Sequence, residues 1–212
     1  MRATAAKPRV IEPEDVQSDP GKRVFDQRYG AYLVRVMPGG FYATGKVDEL
    51  IVTVLGSCVA ACIRNPFNGF GGMNHFMLPE STSGDWNGSS LALRYGNFAM
   101  EALINTILKS GCRRQDLEIK MFGGANLTDG PSMVGSKNVE FARDYLAAEG
   151  LKISSEDLGG ISGRRIHYNP TTGKVQRLLL QTKSQQFISD SEEKYKKIIN
   201  TNVIDGGIEL FD

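Results

Sequence analysis

Hydrophobic and polar positions alternate, cluster and break in a way that predicts many short strands and few helices. AYLVRVM at 31–37 reads as a strand, broken by Pro38-Gly39-Gly40. A short strand is expected from Phe41 to Thr44. Leu50 to Leu55 is apolar and rich in β-branched residues, so it reads as a buried strand that Gly56-Ser57 ends. The stretch from Val59 to Ile63 is too short for its period to decide between strand and helical turn. Asn65-Pro66-Phe67-Asn68-Gly69 is a turn signal that makes 59–64 and 70–76 the arms of a hairpin. Gly71-Gly72 would let neighbouring backbone approach closely.

Farther along, Leu93, Phe98, Ala102, Leu103, Ile107 and Leu108 recur at helical spacing, with Gly111 as the stop. A second helix is expected over 138–149, with Val139, Ala142, Leu146 and Ala147 as its apolar stripe. Strands are expected at 117–122, 151–154, 164–168 and 174–180, the last two joined by the turn Asn169-Pro170-Thr171-Thr172-Gly173. Strands and helices do not alternate strictly. The expected class is therefore α+β: packed or strongly twisted mixed β-sheets, sandwich-like, with helices outside. Residues 1–28 read as a poorly ordered arm, 29–188 as one domain, and 189–212 as a charged C-terminal extension containing SEEKYKK.

Composition narrows the function. The chain has 212 residues, with Lys+Arg 25 against Asp+Glu 24, and no basic stripe that would track a nucleic-acid backbone. No apolar run is long enough for a membrane span, and the first residues do not form a secretory signal. Three cysteines without framework spacing read as free thiols of a reducing compartment, so a cytoplasmic location is expected. Two histidines and three cysteines, without CxxC or HxxxH spacing, give poor metal ligation, and no cofactor is expected. Gly123-Gly124 and Gly159-Gly160 lack the lysine of a phosphate loop and read as turns or the rim of a cleft.

The candidate chemistry sits in LGSCVAAC at 55–62. Cys58 follows a tight Gly56-Ser57 turn, where a thiol can be presented at a lip and the amides of Ser57 and Cys58 can point at a developing oxyanion. His75 lies 17 residues later, on the far arm of the expected hairpin, within reach as a base. The bland alternative is a buried structural cysteine and a satisfied histidine. Thr53 is a candidate to hold the imidazole, with Asp129, Glu80 and Asn74 as rivals. Asn74, Trp86 and Asn126 are candidates for the substrate rim, on or beside the loops at 80–90 and 123–135.

LGSCVAACIRNPFNGFGGMNHFMLPE at 55–80 closely resembles the signature of the CheD family, chemoreceptor glutamine deamidases of bacterial chemotaxis. KMFGGANL at 120–127 and the segment from Gly135 to Val175 resemble the family too, so the likeness runs over roughly 31–180. It implies a cytoplasmic cysteine-dependent amidohydrolase that converts receptor glutamines to glutamate through a thioester, releasing ammonia. Glutamyl methyl-ester hydrolysis is a further family activity. It implies a fold like that of a toxin-type glutamine deamidase domain. It also implies methyl-accepting receptors as partners and, in some bacteria, a CheC-type phosphatase. The family's nucleophile matches Cys58 and its base matches His75. Its threonine stands six residues before the cysteine, where this chain has Val52, and Thr53 is one residue closer. In a regular strand that offset reverses the face, and a bulge would restore it. The rival readings are a regulatory binding partner without turnover and an amidase or esterase of small molecules.

Overall fold

The computed structural model describes residues 21–78, 91–127, 133–181, 188, 190–195 and 197. Along the chain the strands are β1 (Gly21–Asp26), β2 (Ala31–Arg35), β3 (Phe41–Thr44), β4 (Glu49–Leu55), β5 (Val59–Arg64) and β6 (Gly71–Asn74). After helix α1 (Leu91–Leu108) come β7 (Glu118–Gly123), helix α2 (Val134–Ala148), β8 (Ile153–Leu158), β9 (Arg164–Tyr168) and β10 (Val175–Leu179). They form two five-stranded sheets, ordered β1-β2-β4-β9-β10 and β3-β6-β5-β7-β8. Both are mixed: β2 runs parallel to β4 and β7 parallel to β8, while the remaining neighbours are antiparallel. The architecture is mixed α+β, with two sheets and peripheral helices.

β5 shows why the fold has this layering. Its odd positions Val59, Ala61 and Ile63 pack with Met100, Leu103 and Ile107 of α1 and with Ala142 and Leu146 of α2. Cys58, just before the strand, and its even positions Ala60 and Cys62 pack with Ile51 and Leu55 of β4 and Ile166 and Tyr168 of β9. A strand buried on both faces has no polar face and therefore no readable alternation. The expected hairpin of 59–64 with 70–76 is present as β5–β6, with Cys62 opposite Met73 and Arg64 opposite Gly71. At Gly72 an added Cβ would lie 2.4 Å from the Tyr42 carbonyl oxygen and 2.8 Å from Leu103. Glycine there lets β3 and α1 close on β6. Glu49 of β4 is buried; it accepts the Tyr42 hydroxyl at 2.8 Å and pairs with Arg23 at 2.9 Å, tying the two sheets together.

The main difference from expectation lies at the N-terminal side. Residues 21–28, expected to belong to the arm, hold β1 and the start of its turn. β1 pairs antiparallel with β2, and the Arg23 guanidinium lies 3.8 Å from the Tyr32 ring centroid. It is an edge strand with Arg23, Val24 and Phe25 exposed, so neither face carries an apolar period. The second helix begins at Val134, four residues before its expected start.

Candidate active site

The loop Gly56-Ser57-Cys58 carries the chain from β4 in one sheet to β5 in the other. Its carbonyls are all engaged on one side. Gly56 O accepts from the Ala125 amide at 2.8 Å, Cys58 O from the Gly124 amide at 2.7 Å, and Ser57 O from Asn138 Nδ2 at 2.8 Å. The amides are thereby turned the other way, and all three point at one carboxylate, that of Glu192. Gly56 N and Cys58 N donate to Oε1 at 3.0 and 3.1 Å, and Ser57 N and Oγ donate to Oε2 at 2.9 and 2.7 Å. Successive amides converging like this form an anion-binding concavity.

His75 is set by strand register. Val59 pairs with Phe76 and Cys62 with Met73, so the same count puts His75 across from Ala60. His75 and Cys58 then share a face as diagonal cross-strand neighbours, a spacing that long side chains span. The His75 backbone is pinned to the turn at 38–40, its amide donating to Gly40 O at 3.0 Å and its carbonyl accepting from Gly39 N at 2.7 Å. Thr53 reaches the imidazole from the other sheet. Its Oγ1 lies 2.7 Å from His75 Nδ1 and 2.9 Å from Val36 O. The hydroxyl has one proton, and only it can donate to the Val36 carbonyl. It therefore accepts from Nδ1–H, which leaves Nε2 with its lone pair free. Nε2 is buried and, among the described residues, has no hydrogen-bond partner.

No bulge was needed to bring Thr53 here. β4 pairs regularly with β2 and β9, and Ile51, Thr53 and Leu55 face the second sheet together. The one-residue offset expected to reverse the face does not matter, because Cys58 lies past the loop, on a different sheet.

Burial, with Glu192 beside it, holds the Cys58 thiol well above its ordinary pKa. Burial pushes His75 down from 6.5 to about 4, against the opposing pull of Glu192 and of the Val36 carbonyl. The imidazole is thus a neutral base at pH 7. The unfolded chain binds a proton near 6.5 that the folded chain refuses until about 4. Stability from this group is complete above 6.5 and is lost as pH falls through that window. Urea unfolding at stepped pH values should show a steeper loss from 6.5 to 4 in the wild type than in His75→Gln. Equal slopes would contradict the assignment.

The other candidates are distributed differently. The amides of Ser57 and Cys58, with that of Gly56, converge on the Glu192 carboxylate. Asn74 is not on a rim: it is 1% exposed, accepting from Ala61 N at 2.8 Å and donating to Ala99 O at 2.9 Å. Its amide replaces a ladder bond between β5 and β6, and both ends are used. Asn126 is partly buried and bonded to Ser136 at 2.9 Å. Glu80, Trp86 and Asp129 lie outside the described residues. Among the described residues, no group of three or more His, Cys, Asp and Glu could hold a metal ion. Asn138 and Glu192 were not anticipated. Asn138 sits on the predicted helix, but nothing in its spacing shows that its Oδ1 accepts Leu78 N at 2.9 Å while its Nδ2 holds the loop.

Comparison with known proteins shows the family. Residues 77–178 match the family model described as CheD chemotactic sensory transduction. That match begins just after His75. A protein of Rhodopseudomonas palustris described as a probable chemoreceptor glutamine deamidase CheD is 48% identical over 195 residues, 92% of each chain. This chain belongs to the CheD family. Two further CheD-family relatives carry the same description. That of Hahella chejuensis is 46% identical over 89% of this chain and 90% of its own. That of Thiobacillus denitrificans is 42% identical over 88% and 93%.

Proposed function

We propose that this chain is a protein-glutamine deamidase acting on chemoreceptor glutamines, with Cys58 as nucleophile and His75 as its base. The observation that carries the reading is the position of the Thr53 hydroxyl, 2.7 Å from His75 Nδ1 and 2.9 Å from the Val36 carbonyl. Thr53 holds Nδ1–H, which leaves the buried lone pair of Nε2 without a partner among the described residues and available to a proton from Cys58, the diagonal neighbour of His75. The CheD relatives' descriptions supply the reaction class. The two-sheet frame, with the thiol at its seam, supports the likeness to a toxin-type glutamine deamidase domain.

The substrate carboxamide enters the amide concavity with its oxygen toward Gly56 N and Cys58 N. His75 Nε2 takes the thiol proton as Sγ adds to the carboxamide carbon. The oxyanion that forms meets amides already aimed and desolvated, so little reorganisation is needed. The imidazolium returns the proton to the leaving nitrogen and ammonia departs. Water, deprotonated by the same Nε2, splits the thioester and leaves glutamate. A glutamyl methyl ester would follow the same path with methanol as leaving group.

The test is incubation with a purified receptor cytoplasmic fragment. Ammonia should appear, and peptides holding the modified glutamines should gain about 1 Da, the difference between –NH2 and –OH on the same acyl carbon. Neither signal after prolonged incubation at high enzyme concentration would refute the reading.

A further inference from the structure

The Glu192 carboxylate fills the concavity that the mechanism needs empty. Both of its oxygens are held, by four donors of residues 56–58, beside the thiol of Cys58. Residues 188, 190–195 and 197 are helical. Ile188, Glu192 and Tyr195, at i, i+4 and i+7, share one helix face, and that face is turned inward. Ile188 is 5% exposed, with its Cδ1 where a Cβ on Gly163 would come within 2.8 Å. Tyr195 packs against the cluster between the sheets. Asp190, Ser191, Glu193, Lys194 and Lys197 are exposed. At Gly56 an added Cβ would lie 2.9 Å from both Glu192 oxygens, so only glycine lets a carboxyl group in so close. Beside Glu192 a cavity of about 370 Å³ opens along Arg35, Met37, Thr53 and His75.

A glutamate side chain presented by a helix, with both oxygens on the amides next to the nucleophile, has the chemistry of the deamidation product. We infer that the C-terminal segment occupies the substrate site as an intramolecular product. Glu192 stands where the newly made receptor glutamate stands, and a receptor helix must displace the segment to react. This rests on the proposed deamidase reading. It also describes the substrate: a helix whose reacting glutamine has an aliphatic residue four positions before it and an aromatic or apolar one three positions after, both facing the enzyme.

Glu192→Gln turns the product mimic into a substrate. The oxygen of the introduced carboxamide can take the Gly56 and Cys58 amides, and its –NH2 can donate to Ser57 Oγ, while Ser57 N–H gives up the carboxylate oxygen it holds in the wild type. Cys58 Sγ adds to the carboxamide carbon, the C–N bond breaks, and ammonia leaves with the proton carried by His75. Water then cleaves the thioester, regenerating the thiol and restoring glutamate at position 192. Intact-mass analysis of full-length Glu192→Gln should show first-order conversion to the wild-type mass, a gain of about 1 Da at a rate independent of protein concentration. The Cys58→Ala, Glu192→Gln double variant should keep its carboxamide. A reading independent of turnover is alkylation of Cys58 by iodoacetamide, which Glu192→Ala should accelerate about tenfold or more. A carboxamide that persists at position 192 while the same sample deamidates a receptor fragment would overturn the inference and leave the deamidase reading standing. Persistence in a sample that leaves the receptor fragment unchanged too would overturn both. Conversion that speeds up with protein concentration, or equal alkylation of wild type and Glu192→Ala, would also overturn the placement in cis.

Discussion

Cys58→Ala should abolish ammonia release from a receptor fragment, a loss of at least about 10⁴-fold, because the nucleophile and its base act as one unit. The fold should survive. Alanine fills most of the thiol's volume, and the loop is held by Ala125, Gly124 and Asn138 through its backbone carbonyls, which the substitution leaves in place. Cys62 is the informative control. It lies four residues on, on the same face of β5, equally buried. Its amide is spent in the ladder with β7, its Cα partner across the hairpin is Met73, and burial drives its thiol far above the ordinary range. Cys62→Ala should therefore keep turnover within a few-fold and lose about 1 kcal/mol of stability to a small cavity. Cys112, half-buried beside the 3₁₀ turn Arg114–Asp116, should tolerate alanine as well. Steady-state ammonia release with urea unfolding of the three variants checks this. Turnover by Cys58→Ala, or its loss in Cys62→Ala with the fold intact, would place the nucleophile elsewhere.

What the sequence revealed follows from how local each signal is. The turn at 65–69 is written in Asn, Pro and Gly, so the hairpin that carries His75 toward Cys58 is readable from a few neighbouring residues. β5 was not readable as a strand by period, because burial on both faces removes the polar half of the pattern. β1 failed for the opposite reason: an edge strand with few buried side chains leaves no apolar imprint. Strand parity relates Thr53 to Cys58 only within one strand, and the chain changes sheets at Gly56-Ser57, which no periodicity records. Glu192 is the deepest case. In SEEKYKK it reads as one more solvated charge, and only the convergence of three amides 134 to 136 residues earlier gives it a partner.

Thr53→Val should lower kcat by about 10²-fold with KM nearly unchanged, the size of effect seen when a group that orients a reactive imidazole is lost. Valine keeps the shape of threonine without the hydroxyl, so packing between the sheets is preserved. Two groups lose their partner: the Val36 carbonyl and His75 Nδ1–H, each buried, at a cost of about 1–3 kcal/mol apiece. The imidazole can then turn, or move its proton to Nε2, and either change removes the lone pair that must receive the Cys58 proton. A hydroxyl is neutral, so it stabilises the imidazolium less than a carboxylate would, and the expected loss is correspondingly smaller than for an aspartate in that position. Thr53→Ser should recover most of the rate, because the serine hydroxyl can still donate to Val36 O and accept from Nδ1–H. A purely structural role predicts another pattern. Serine would then be about as harmful as valine, and both would scale with lost stability, not with kcat. Near wild-type kcat in a folded Thr53→Val protein would reduce the site to the Cys58–His75 pair and leave the tautomer to be set by the surrounding backbone.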